Sequence, residues 1–408
     1  MKGKLAAAAF ATLLALAGVE LVLRLWPGLL PASYRARFPQ DGIELFQPGV
    51  LSRTPIEGFA FPRVPKPLFA EPPQDLKELG IADPASRDDA ERWGRVRVPS
   101  DARGLPNPEA LDRADVVLVG DSFLVSAGAT EPEGLVRGLA RTTGESVYSL
   151  GISGIGPLQE AWLLEHVGLP LQPELVVWFF FGGNDLSDAK NVLELQGRGL
   201  RTRDQLDGYR APGPLRLLDL LASGPASAPP GELPGSLPPL SFAGQPTWLH
   251  PLYLSRCALD EAAWRGHVAF ERTLSTLRDA RDLCRASGAR LALVYLPSKA
   301  EVLLPSIESD ASALVDTMLF DTELARPGDA EAVRARLLAN RRSLARLLGS
   351  FCREEDVPFH DATPALEALA AGGDPGFLVA DTHWSPSGQQ ALLPGLAAFL
   401  RENGLLGD

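Results

Sequence analysis

Leu175-Val-Val-Trp-Phe-Phe-Phe181 is a run of seven apolar residues with no polar position in it. A strand exposed on one side alternates apolar and polar residues, because successive side chains point to opposite faces of a sheet. A run without alternation suits a strand covered on both faces, as in parallel sheets flanked by helices. Segments 115–119, 146–150, 290–296 and 357–360 read the same way. Helical spacing separates the later ones, with Phe270, Leu274, Leu277 and Cys284 recurring on one face. The last helix is expected to begin at Ser385-Pro386, a cap residue followed by Pro at the first helical position, and to bury Leu392, Leu393, Leu396 and Phe399.

Five parallel strands joined by helices predict an α/β fold, a three-layer α/β/α sandwich around a five-stranded sheet of flavodoxin-like order. Ligands of such sheets bind beyond the carboxyl ends of the strands, and the chemistry-bearing residues cluster there. Ser122 closely follows the run 116–119, Gly154 the run 147–150, and Asn184 the run 175–181. Acyl transfer needs a nucleophile, a base beside it, a group to orient the base, and donors aimed at the developing oxyanion. Ser122 can supply the first, His383 the second and Asp381 the third. Gly154 has no Cβ and can bring its N–H close to a substrate, and the Asn184 amide is a two-proton donor.

In chain order the four blocks are Val-Val-Leu-Val-Gly120-Asp121-Ser122-Phe, Gly151-Ile-Ser-Gly154, Phe-Phe-Phe-Gly182-Gly183-Asn184-Asp185 and Asp381-Thr-His383-Trp384. Over roughly residues 96–408 the chain resembles the SGNH (GDSL-type) esterase and acyltransferase superfamily. The resemblance implies Ser122 as nucleophile, with the Ser122 N–H, the Gly154 N–H and the Asn184 side chain as oxyanion hole. One departure stands out. Most of that superfamily has Asp three residues before His, where this chain has Ala380, and the two-residue spacing with Trp after His resembles the SGNH-type domains of alginate O-acetyltransferases. Asp361, at the end of the strand-like 357–360, is the alternative acid. Trp384 has two readings, a surface that stacks on a sugar ring or a ring packed beside His383. Asp121 and Asp185 read as loop-organising carboxylates.

The remaining sequence narrows the class. Of 408 residues 45% are hydrophobic and 22% charged, as in a folded globular protein, and the net charge of −12 with no basic run longer than two residues excludes a nucleic-acid partner. There is no HExxH, P-loop, dinucleotide loop or GxSxG elbow, and no cofactor or metal is expected. Cys257, Cys284 and Cys352 show no metal-ligand spacing and are expected to be buried free thiols.

Residues 5–26 are apolar behind Lys2 and Lys4. As a helix they would reach about 33 Å, enough to cross a bilayer core of ~30 Å, and 1–26 read as an uncleaved signal anchor. That reading places a single-pass protein in the cytoplasmic membrane with its catalytic part facing the periplasm or exterior. Residues 27–113 read as an extended Pro-rich connector, and 114–408 as the catalytic domain, with an insertion at 186–261 whose stretch 223–247 is crowded with Pro, Gly and Ser. Trp248, His250 and Tyr253 are the insert's candidates for ligand contact. The expected function is a serine esterase removing O-acyl, chiefly acetyl, groups from cell-envelope carbohydrate or lipid-like substrates. The alternatives are an O-acyltransferase acting on an extracytoplasmic polysaccharide and a non-catalytic binding module.

Overall fold

The apolar runs pair into one sheet. Its strands are β1 (Val116–Val119), β2 (Val147–Ser149), β3 (Leu175–Phe181), β4 (Arg290–Leu296) and β5 (Phe359–Asp361). Their order is β2-β1-β3-β4-β5 and every neighbouring pair is parallel. The structure, a computed structural model, describes residues 11, 15–23, 44–45, 65–66, 101, 103, 105–125, 134–197, 239–318, 329–379 and 381–406.

Period two sorts the strand side chains between two cores. Val116, Leu118, Val177, Phe179, Phe181, Val294 and Leu296 face one side. There they meet α1 (Leu135–Thr143), α8 (Thr363–Ala371) and α9 (Pro386–Glu402). Val117, Val119, Val176, Trp178, Phe180, Leu293 and Tyr295 face the other, against α2 (Pro157–Leu163), α5 (Phe270–Ala286) and α7 (Ser343–Glu354). All seven residues of β3 are buried, which is why that strand carries no polar position. Each such side chain contributes about 1.5–3 kcal/mol on burial. Ser385 caps α9 by accepting from the Gly388 N–H, and Leu392, Leu393, Leu396 and Phe399 are buried. Cys257, Cys284 and Cys352 are buried free thiols.

The segment leading into β1 protects the sheet's edge. Asn107 donates to the Ser149 carbonyl at 2.9 Å and accepts from the Ser149 N–H at 2.8 Å, so its amide pairs with β2 as a neighbouring strand would. Asp101 accepts the Arg103 and Leu105 N–H groups and the Tyr148 hydroxyl, fixing the turn that presents Asn107. A sheet edge covered in this way offers no template for another chain.

The signal-anchor reading of 5–26 falls partly outside the described residues. Residues 11 and 15–23 are helical, and among the described residues no helix is long and apolar enough to cross a membrane. Most of the 27–113 connector lies outside them as well. Within the insert, α3 (Asp185–Gly197) follows β3 directly. Residues 198–238 lie outside the description, and then Leu240–Phe242 pairs antiparallel with Gln245–Thr247. Ala243 and Gly244 turn this hairpin with φ of 50° and 70°, the two left-handed residues that a type I′ turn requires. Helix α4 (Pro251–Arg256) completes the described insert.

Candidate active site

Ser122 begins a 3-10 turn, Ser122–Val125, just past the carboxyl end of β1. The Asp121 side chain accepts the Phe123 N–H at 3.0 Å and bends the chain there. Phe123 is buried among Phe181, Trp384 and His383, with ring centroids 4.3, 4.6 and 5.0 Å away. That aromatic bed fixes the height of the serine above the sheet and the plane of the imidazole beside it.

His383 Nε2 lies 2.9 Å from Ser122 Oγ, and His383 Nδ1 lies 2.6 Å from Asp381 Oδ1. The same Asp381 oxygen accepts the His383 backbone N–H at 2.7 Å. The short Asp-x-His spacing thus makes an Asx-type turn in which one carboxylate oxygen holds both the backbone and the ring of the residue two places on. Burial pushes the Asp381 carboxyl up, yet its net displacement is downward, because the charge and hydrogen bonds of His383 and the charge of Lys299 outweigh burial. An ionised Asp381 can only accept, so Nδ1 carries the ring proton and Nε2 is left to accept from the serine hydroxyl. Asp361 is not brought to the histidine. It pairs with Arg342 and accepts the Thr363 N–H at the start of α8.

The loops after β2 and β3 close on the same place. Gly154 has φ of 73°, in the left-handed region that a side chain would strain. A Cβ at Gly151 would stand 2.6 Å from Leu124 Cβ, and one at Gly156 would stand 2.9 Å from the Asp185 carbonyl. The 151–156 loop is therefore wedged between the serine turn and the start of α3. Asn184 precedes α3, and its carbonyl accepts the Asp188 N–H at 2.8 Å. Its side-chain oxygen is buried without a partner, and its side chain hydrogen-bonds toward Asp121.

Asp121 and Asp185 do organise their loops, Asp185 by accepting the Phe181 N–H at 2.9 Å. They also belong to a set that sequence reasoning missed. Glu160 of α2 and Asp188 of α3 are buried close to them, with Glu160 accepting the Trp178 indole N–H at 2.7 Å. Burial pushes the Asp121 carboxyl up to about 6, against the Phe123 N–H, His383 and Asn184. Burial, then the charge of Asp121, holds Glu160 well above its usual range, and burial followed by the charges of Glu160 and Asp121 does the same to Asp185. Beyond this set, burial lifts Glu301 to about 7. Among the described residues no group of three or more acidic, histidine or cysteine side chains is placed to hold a metal ion.

These raised acids predict how stability varies with pH. A carboxyl whose folded pKa is raised keeps its proton in the fold after the unfolded chain has released it, so stability falls as pH rises through the folded value. His250 and His267, both pulled down to about 4 by burial and then by the charge of Arg256, oppose this only up to about pH 6.5, where the unfolded histidines have lost their protons. Above that the carboxyls contribute, Glu301 among them, joined near pH 8.5 by Cys257, Cys284 and Cys352, whose thiols burial also pushes up. The melting temperature is expected to fall by roughly 5 °C between pH 6.5 and 8.5, and Glu160→Gln should flatten the fall. Scanning calorimetry that finds equal midpoints at both pH values would exclude a set of proton-retaining acids.

The insert's three aromatic candidates sit beside the histidine loop. Trp248 is buried, and its backbone N–H donates to the Val379 carbonyl at 3.3 Å. His250 stacks on Tyr253 at 4.4 Å, and Tyr253 meets Phe181 edge-on at 5.7 Å. Trp384 is 1% exposed, so of its two readings the structure supports the packed ring over the exposed stacking surface. Its backbone bridges to Phe377, and its indole is buried against Phe123 at 4.6 Å. Lys299, buried at the start of α6 (Lys299–Leu303), was also missed, because nothing near it in the sequence marks it.

Together, the parallel sheet between two helical layers and the Ser–His–Asp row at its carboxyl edge make an α/β/α protein with its candidate site where such sheets bind ligands. The chain belongs to the GDSL-like lipase/acylhydrolase family, whose model matches residues 118–391. No curated protein matches it. Solved structures similar to it include TesA, at 16% identity over 70% of this chain and 98% of that one, with a TM-score of 0.34. A catalytic mutant of Axe2, an acetylxylan esterase from Geobacillus stearothermophilus, is similar at 14% identity over 72% and 96%, with a TM-score of 0.35. The psychrotrophic esterase EstA from Pseudoalteromonas sp. is similar at 9% identity over 71% and 98%, with a TM-score of 0.33.

Proposed function

We propose that the protein is a serine esterase that removes O-acyl groups, acetyl foremost, from carbohydrate or lipid-like substrates of the cell envelope. The observation that carries this reading is the hydrogen-bonded row from Ser122 Oγ through His383 to Asp381. The serine proton passes to His383 Nε2 as Oγ attacks the ester carbonyl carbon, and Asp381 stabilises the imidazolium. The oxyanion is received by the Ser122 N–H, the Gly154 N–H and the Asn184 amide. Collapse breaks the bond to the alcohol, which leaves with the proton from His383. Water then gives a proton to His383, attacks the acyl-serine, and releases the acid as Ser122 regains its proton. The envelope assignment rests on the apolar segment 5–26 behind Lys2 and Lys4.

A fluorophosphonate probe is expected to label the purified chain at one serine, Ser122, and Ser122→Ala to abolish both labelling and hydrolysis of p-nitrophenyl acetate. Peptide mass spectrometry that finds the adduct elsewhere would remove the central assignment. The same assay separates water from sugar as acyl acceptor. With a millimolar oligosaccharide present, an esterase releases acetate at an unchanged rate. A transferase instead forms acylated sugar at the expense of free acetate, because an oriented hydroxyl can outcompete water. The esterase outcome is expected.

A further inference from the structure

Lys299 combines features that a purely structural residue has no need of. It occupies the first position of α6, inside a capping box formed by Ser298 and Glu301. A cation there meets the positive end of the helix dipole. It is also 2% exposed, so its ammonium has lost most of its water. Its Nζ donates to the carbonyls of Leu378 and Val379, at 2.8 and 2.6 Å. A neutral amide could satisfy two carbonyls at a smaller desolvation cost, so the charge itself calls for an explanation.

The position of those carbonyls supplies one. Leu378 and Val379 form the incoming arm of the loop that carries Asp381 and His383, and the Leu378 N–H donates to the His383 carbonyl at 2.9 Å to close it. Lys299 therefore holds the arm from one side, while the Trp248 N–H holds the Val379 carbonyl from the insert. His383 faces two carboxyl groups, Asp381 at its Nδ1 and Asp121 from the serine turn. Both favour a proton on the imidazole. His250, on the insert, also faces Asp381, and Arg256 bears on His250. Burial depresses His250, which leaves it uncharged over most of the working range. Among the described residues, Lys299 is a fixed cation whose charge reaches Asp381.

We propose that Lys299 is a positioning residue that tunes the Asp381–His383 pair: it clamps the loop through the Leu378 and Val379 carbonyls, and its charge counters the Asp381 carboxylate so that His383 stays neutral, and able to act as base, to lower pH. The proposal rests on His383 being the base in the reaction above. Its test does not need turnover.

The chain has five histidines, so ¹⁵N-histidine labelling with His383→Ala for assignment lets NMR follow His383 through a titration of the full-length protein. Lys299→Gln keeps an N–H donor for the carbonyls and removes the charge, whereas Lys299→Arg keeps the charge. In Lys299→Gln the His383 midpoint is expected to rise by roughly 0.5–1 pH unit, and in Lys299→Arg to stay within about 0.2 of the wild type. The acid limb of kcat/KM for p-nitrophenyl acetate should move with it. An unmoved midpoint in Lys299→Gln overturns the proposal. So does a Lys299→Gln chain that fails to fold while Lys299→Arg folds, since the ammonium would then serve only the stability of the loop. A shifted midpoint in a protein with no Ser122-dependent hydrolysis would leave the tuning of His383 by Lys299 standing and sink its catalytic purpose together with the esterase reading.

Discussion

Asp381→Asn is expected to lower kcat on an activated ester by about 10⁴, while Asp361→Asn leaves kcat and KM within a few-fold of the wild type. Both residues end or follow strand-like sequence near the C-terminus, and a conventional spacing would favour neither. Geometry separates them. Asp381 Oδ1 holds the His383 ring at 2.6 Å and its backbone at 2.7 Å, whereas Asp361 answers to Arg342 and Thr363. An asparagine at 381 keeps the shape of the turn but removes the negative charge that stabilises the imidazolium. If its NH₂ faces the ring, it also enforces the tautomer that cannot accept from Ser122. A loss of 10⁴ corresponds to about 5.5 kcal/mol of transition-state stabilisation. Steady-state kinetics on the two variants decide the matter. If Asp361→Asn proves the more damaging change, the Asp381 contact is incidental and the acid lies on β5.

The fold was legible because burial on both faces leaves a local mark. Leu175–Phe181 has no polar residue since its two faces meet different helical layers, and that fact needs no long-range information. Ser122, Gly154 and Asn184 were legible for a related reason. In a parallel sheet the loops after neighbouring strands converge, so residues placed just after strand-like runs, 122, 154 and 184, come together once the strand order is known. From sequence, Gly154 reads only as a backbone able to approach a substrate closely, and its φ of 73° adds a second reason for glycine there.

What was hidden depends on partners far away in sequence. Glu160 looks like an ordinary acid in the first turn of a helix, where the dipole favours it. Only the packing of α2 against β3 reveals that it is buried under Trp178 with Asp121 and Asp185 as neighbours. Lys299 reaches carbonyls 79 and 80 positions away, and a lysine one residue into a helix carries no sequence signal of that reach. Asn107 substitutes for a strand edge 42 residues on. Trp384 was ambiguous because a motif gives the order of residues and not the side to which each points. Its 1% exposure and its contact with Phe123 show the ring buried.

Asn184→Ala is expected to lower kcat by about 10²–10³, or about 3–4 kcal/mol, with KM within a few-fold of the wild type. The amide has two N–H groups. In the proposed mechanism one of them is aimed at the oxyanion. Asn184 stands at the start of α3 with its backbone carbonyl fixed by the Asp188 N–H at 2.8 Å, so a donor carried on that backbone would need little reorganisation in the proposed reaction. Such a donor acts mainly on the charge that develops as Ser122 attacks, so its removal should appear in kcat. Alanine keeps the helix and opens little space, so the melting temperature should change by no more than a few degrees, which separates lost chemistry from lost structure. Steady-state kinetics with p-nitrophenyl acetate and a calorimetric scan of the same sample make both measurements. A rise in KM with kcat preserved would mean that Asn184 binds the substrate in its ground state, and the oxyanion would then depend on the backbone N–H groups of Ser122 and Gly154 alone.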